Sequence, residues 1–200
     1  MIQVWSFITD FGDSVVTLAL SVVVLGYLLT LRRHRAACSW ALAVGGCGLA
    51  TIFLKIALRA CSPPDLAAGV ASPSGHAAAS ATVYWSLATV VAQEMRRDGR
   101  LLAWILAALA TTAIAVSRIA LGAHTPAEVL VGLVVGSFFA WLFTRCLRSE
   151  AGPHPHAYWA LGLAAITVAV LHGGRWPIEE SLRRVADLLR ATLPACAALK

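Results

Sequence analysis

Ser72-Pro73-Ser74-Gly75-His76 is the first of two polar islands in an otherwise apolar chain. The second opens with Ser117-Arg118, passes five residues to His124 and three more to Glu128. An apolar segment follows each island, and Lys55 closes the apolar segment before them. If the apolar segments are membrane helices, the islands fall at helix ends, where ionisable groups mark function rather than packing. That reading makes the chain an all-α membrane bundle with a phosphate-ester site at one face.

Composition supports the membrane reading. The 200 residues are 59% hydrophobic and 13% charged, about half the charge of an ordinary globular domain at ~25%. Mean hydropathy is +0.76. The net charge of +6 does not point to nucleic acid, because Lys and Arg gather at the ends of apolar segments, where they set topology. The five cysteines are odd in number and follow no metal or redox spacing. Of these, Cys61 and Cys196 are the two that would share an oxidising compartment.

Six spans are expected: Val15–Leu31, Cys38–Leu58, Gly75–Gln93, Leu101–Val116, about Pro126–Phe143, and Tyr158–Leu171. Met1–Asp13 reads as an interfacial segment. Clusters at Arg32, Arg33 and Arg35, at Arg96, Arg97 and Arg100, and at Arg145 and Arg148 are assigned to the cytoplasm. Gly45, Gly46 and Gly48, and the pair Gly132 and Gly136, are candidate close-packing faces. Residues 1–172 form the membrane domain, with its site segment at 55–128. Residues 173–200 form a tail in which Ile178, Leu182, Val185, Leu188 and Leu189 recur at helical spacing among arginines. This spacing predicts an amphipathic helix on the outer surface.

That topology puts Lys55, His76, Arg118, His124 and Glu128 on the same outer (periplasmic, in a bacterial inner membrane) side. Ser74 is a favoured N-cap, and Gly75 lets a ligand approach the backbone of a helix N-terminus, which binds phosphate oxygens. A plain capped helix is the alternative reading. A neutral imidazole attacks phosphorus and a second one protonates the departing oxygen, which gives His124 and His76 complementary uses. Lys55 and Arg118 would neutralise the equatorial oxygens. Lys55 and Arg59 also suit simple snorkelling to the interface. Thr125-Pro126-Ala127-Glu128 is a capping box in its own right, and Glu128 equally suits orienting His124.

At these residues the chain resembles the type 2 phosphatidic acid phosphatases, integral-membrane lipid phosphate phosphatases. Their signature runs Lys, six residues, Arg-Pro; then Pro-Ser-Gly-His; then Ser-Arg, five residues, His, three residues, Asp. The second part is complete here at Pro73–His76. The third is complete except that Glu128 stands for Asp. The first keeps Lys55 and Pro63 but has Ser62 for Arg. The resemblance implies a six-helix, metal-independent and cofactor-independent phosphohydrolase acting on a lipid phosphate or diphosphate. His124 would form a phosphohistidine, His76 would be the acid, and Glu128 would orient His124. Lys55, Ser74, Gly75 and Arg118 would hold the phosphoryl group, and Arg59, one turn beyond Lys55, is the candidate to replace the missing Arg. Phosphotransfer at the same site, or anionic-lipid binding without catalysis, are the alternatives. Soluble haloperoxidases share the phosphate-site logic but not the apolar spans.

Overall fold

The computed structural model describes residues 1–61, 72–95, 97–147, 157–174 and 178–192. Among them there are eight helices and no strand: α1 Ile2–Asp10, α2 Ser14–Thr30, α3 His34–Cys61, α4 Gly75–Glu94, α5 Arg97–Ala120, α6 Pro126–Leu147, α7 Ala157–Leu171 and α8 Ile178–Thr192. The stretches Ile2–Thr30, His34–Arg59, Arg97–Ala120 and Pro126–Leu147 are long and apolar enough to cross a membrane. Apolar side chains such as Val22, Leu42, Leu49, Phe53, Leu109, Val134 and Val170 face outward over much of this surface, an arrangement suited to hydrocarbon and not to water.

The centre of the bundle is α4, which is not among those four stretches. It packs against α2, α3, α5 and α6. Ser80, Thr82, Ser86 and Thr89 are buried on it. Helical backbone satisfies most of these hydroxyls: Ser80 Oγ donates to the Ala77 carbonyl at 3.1 Å, and Thr89 Oγ1 donates to the Trp85 carbonyl at 2.9 Å. Thr82 Oγ1 lies 3.0 Å from the Ala78 carbonyl and 3.1 Å from that of Gly136 on α6. Small residues let α4 and α6 nearly touch. A Cβ at Gly132 would stand 2.5 Å from the Ser74 carbonyl oxygen, and one at Gly136 would overlap the Ala78 carbonyl. The second glycine set behaves differently. Only Gly46 is pressed, against Phe139, whereas a Cβ at Gly45 or Gly48 would meet nothing within 4 Å.

At the end opposite the polar islands, Leu20, Leu28, Trp40, Phe143 and Leu147 form the main apolar core. Trp40 meets Phe143 edge-on at 5.4 Å and donates Nε1–H to the Ser21 carbonyl. Buried Arg33 is tied through Gln93 to the Leu147 carbonyl.

The N-terminus differs from the interfacial segment expected from its mixed composition. Met1–Asp13 holds a helix, α1, that packs on α5 and runs on into α2 at a corner capped by Asp13. Asp10 and Asp13 are buried, so these acids face protein rather than the water that their composition suggested. Cys38 and Cys47 are free thiols. The Cys61–Cys196 pairing, Ser62 and Pro63, and the histidines at 154 and 156 lie outside the described residues or side chains.

Candidate active site

Five helix ends, the starts of α2, α4 and α6 and the last turns of α3 and α5, meet around one cavity of about 570 Å³. Lys55 and Arg59 reach it from the last turns of α3, which runs on to Cys61. Lys55 is buried, and its ammonium lies 3.9 Å from where a Gly75 Cβ would be. A buried ammonium beside an open helix start is a place for an anion. Ser74 caps α4, its Oγ accepting the Ala77 N–H.

From the other side come α5 and α6. Arg118, in the last turn of α5, donates Nη1–H to Thr9 Oγ1 at 3.1 Å. The turn after α5 passes through Gly122, whose φ of +64 lies in the left-handed region that glycine adopts at no steric cost. The N–H groups of Ala123 and His124 return to the Arg118 carbonyl. This fold-back brings His124 beside the arginine across five intervening residues.

Glu128 serves both of the roles that its sequence position allows. Its N–H is capped by Thr125 Oγ1 at 3.2 Å, and its Oε2 accepts the Thr125 N–H at 3.1 Å. The same Oε2 lies 2.9 Å from His124 Nδ1. An ionised carboxylate only accepts, so Nδ1 carries the proton and Nε2 keeps its lone pair. Oε1 accepts the Ser72 N–H at 2.7 Å, and the Glu128 carbonyl accepts the Ser74 N–H at 3.0 Å. One residue therefore joins the two polar islands. Burial holds the His124 pKa below the ordinary value of 6.5 despite the opposing hydrogen bond to Glu128, and the charges of Arg118 and Lys55 add to the lowering. His124 is thus neutral at physiological pH.

His76 faces the cavity from the first turn of α4. Its Nε2 lies 3.6 Å from Asp13 Oδ2. Sequence reading did not single out Asp13, because nothing near it in the chain points to a histidine 63 positions away. Leu182 and Arg183 of α8, the helix expected on the outer surface, also line the cavity. Every site residue named from sequence lines this cavity except Ser74, which caps the helix beneath it. Among the described residues no group of His, Cys, Asp and Glu is arranged to hold a metal. Away from the charged groups, Leu18, Val44, Ile52 and Val83 continue the cavity between α2, α3 and α4.

Residues 53–151 match the family described as PAP2 superfamily. A Klebsiella pneumoniae protein described as an uncharacterized 22.5 kDa protein in the cps region is 28% identical over 193 residues, covering 91% of this chain and 90% of that one. Glucose-6-phosphatase 3 of Bos taurus is 32% identical over 93 residues, and that of Homo sapiens 32% over 94. In both cases 44% of this chain aligns with only 27% of the relative. No solved structure matches. The matched segment holds Lys55, the capped start of α4, Arg118, His124 and Glu128, and the chain belongs to the PAP2 superfamily.

Proposed function

We propose that this protein is an integral-membrane, metal-independent phosphohydrolase that removes phosphate from a lipid phosphate or diphosphate. One observation carries the proposal: two histidines, Lys55, Arg118 and a helix N-terminus face a single cavity whose far walls are apolar. A soluble sugar phosphate has no use for those walls. Val44 lies eleven residues before Lys55 on α3, so the apolar part reaches about 16 Å from the charged end at 1.5 Å per residue. A hydrocarbon tail fits that reach. The names of two relatives support phosphate-ester chemistry, over a quarter of their length.

In this reading His124 Nε2 attacks phosphorus while the ester oxygen departs. The P–N bond forms as the P–O bond breaks, and His76 gives its proton to the leaving oxygen. Lys55, Arg118 and the Gly75 N–H hold the three equatorial oxygens, where charge spreads in the transition state. Arg59 adds a cation one turn beyond Lys55. Water then cleaves the phosphohistidine, its proton passing to His76.

With six spans and the basic clusters in the cytoplasm, the cavity mouth would open on the outer, periplasmic face, and α8 would lie along that surface. Residues 1–172 would be the catalytic membrane domain and 173–200 its tail. The test is phosphate release by detergent-purified protein in EDTA, offered phosphatidate, phosphatidylglycerol phosphate and undecaprenyl diphosphate beside a His124→Ala control. Release that survives EDTA and disappears in the variant supports the proposal. Release abolished by EDTA, or retained by the variant, defeats it.

A further inference from the structure

We propose that Asp13 is the positioning carboxylate of His76, so that each histidine in the cavity works with its own acid. The inference rests on the phosphohydrolase reading above and adds a residue that no motif of the chain contains.

Three observations carry it. First, Asp13 has two oxygens with two separate tasks. Oδ1 accepts the Val15 N–H at 2.9 Å and caps α2. Oδ2 stands 3.6 Å from His76 Nε2. A cap needs one oxygen, so capping does not account for the direction of the second. Second, Asp13 is buried and lines the cavity. A carboxylate in such a place is costly unless a cation or donor meets it, and an imidazolium does so.

Third, the segment carrying Asp13 is fixed against the reacting groups. Thr9 takes a hydrogen bond from Arg118. Tyr84 donates its hydroxyl to the Phe11 carbonyl at 2.7 Å. A Cβ on Gly12 would sit 2.6 Å from Ile114 Cγ2 and 3.5 Å from His76 Cβ, so the backbone there is pressed onto α5 and α4. The charged groups around His76 are Asp13 from the α1–α2 corner, Arg118 from α5 and Lys55 from α3, with the His124–Glu128 pair lining the same cavity. Asp13 is the negative group nearest His76 against two cations. Without it, a His76 proton needed for the leaving group would be held only against Lys55 and Arg118.

Asp13→Asn separates this role from a structural one, because Asn keeps a capping oxygen for Val15. We would measure kcat/KM against pH for phosphatidate and for p-nitrophenyl phosphate, whose leaving group departs without a proton. The expected result is a loss of about 10- to 100-fold on phosphatidate, of the order of an impaired general acid, with the basic limb moved to lower pH. Loss of kcat/KM on p-nitrophenyl phosphate should stay within about threefold, since this ratio ends at departure of the leaving group, which here needs no proton, and the later proton transfer from water to His76 enters kcat alone. In a His76→Ala background the same change should add nothing on phosphatidate, because the two residues act as a unit. Equal losses on both esters, an unmoved basic limb, or an additive double variant would each overturn the inference. A wild-type enzyme that depends on His124 but is indifferent to Asp13→Asn defeats this inference alone. Turnover that persists in His124→Ala defeats the underlying mechanism as well.

Discussion

His124 and His76 face the same cavity but are held in different ways. His124 is bound to a carboxylate four residues away, across one turn at the start of α6, at 2.9 Å. His76 stands 3.6 Å from a carboxylate that arrives from the far end of the chain. The first pairing is built by a loop and a helix cap and needs no other element for its own geometry. The second exists only because α1 packs on α5 and the corner before α2 is pressed against α4. Local pairs are written in sequence spacing, whereas distant ones depend on the whole bundle being assembled.

The sharpest way to break the comparison is to remove the locally held histidine. His124→Ala should lower turnover at least about a thousandfold, as loss of a nucleophile does elsewhere. Acid-labile phosphate trapped on the protein during turnover should vanish with it, and a variant that still traps phosphate would remove His124 from the nucleophile's place.

Glu128→Gln is next. A glutamine offers one acceptor oxygen where the carboxylate accepts from His124, Thr125 and Ser72, so kcat should fall by about 10²-fold or more. The pH profile gives a second readout. His124 attacks when neutral, and its pKa is held below 6.5 by burial. Activity should therefore persist as pH falls past the ordinary histidine value and decline only below it. Glu128 favours the charged form of His124. Its replacement should then move the acid limb to still lower pH, and a shift upward would contradict the pairing.

Gly136→Val tests the frame that both pairs share. The added side chain must enter the space of the Ala78 carbonyl, and overpacking of this kind costs about 1–3 kcal/mol. Its thermal midpoint in detergent should fall, whereas Gly45→Ala, which meets nothing within 4 Å, should leave it unchanged. The smallest effect is expected at Arg183, an exposed residue at the cavity rim. Arg183→Ala should raise KM a few-fold with kcat intact, in keeping with the modest value of exposed charge contacts.

These differences also mark how much could be read without coordinates. The islands at Ser72–His76 and Ser117–Glu128 mark helix starts at Gly75 and Pro126 that the structure reproduces, because caps are short-range chemistry, whereas α5 runs on through Ser117 and Arg118 to Ala120, past the stop expected at Val116. The Gly132–Gly136 face was legible from spacing. Gly45 and Gly48 had the same kind of signal but meet no neighbour, since a small residue permits a close approach without specifying one. The N-terminal acids read as a wet interface because composition alone does not reveal what will cover them. The tail's Arg183 reaches the cavity because α8 packs on α3, which no local pattern encodes.

By itself the sequence determined the apolar helical segments after Asp13, the capped start of α4, and the fact that Glu128 lies within one turn of His124. Periodicity, capping and i, i+4 geometry are properties of a chain over a few residues. Only the tertiary structure decided that Asp13 faces His76, that Arg118 leans on Thr9, and that apolar walls from α2, α3 and α4 lead away from the charged end. Those contacts join residues tens of positions apart, and the packing of the helices on α4 is what brings them within reach.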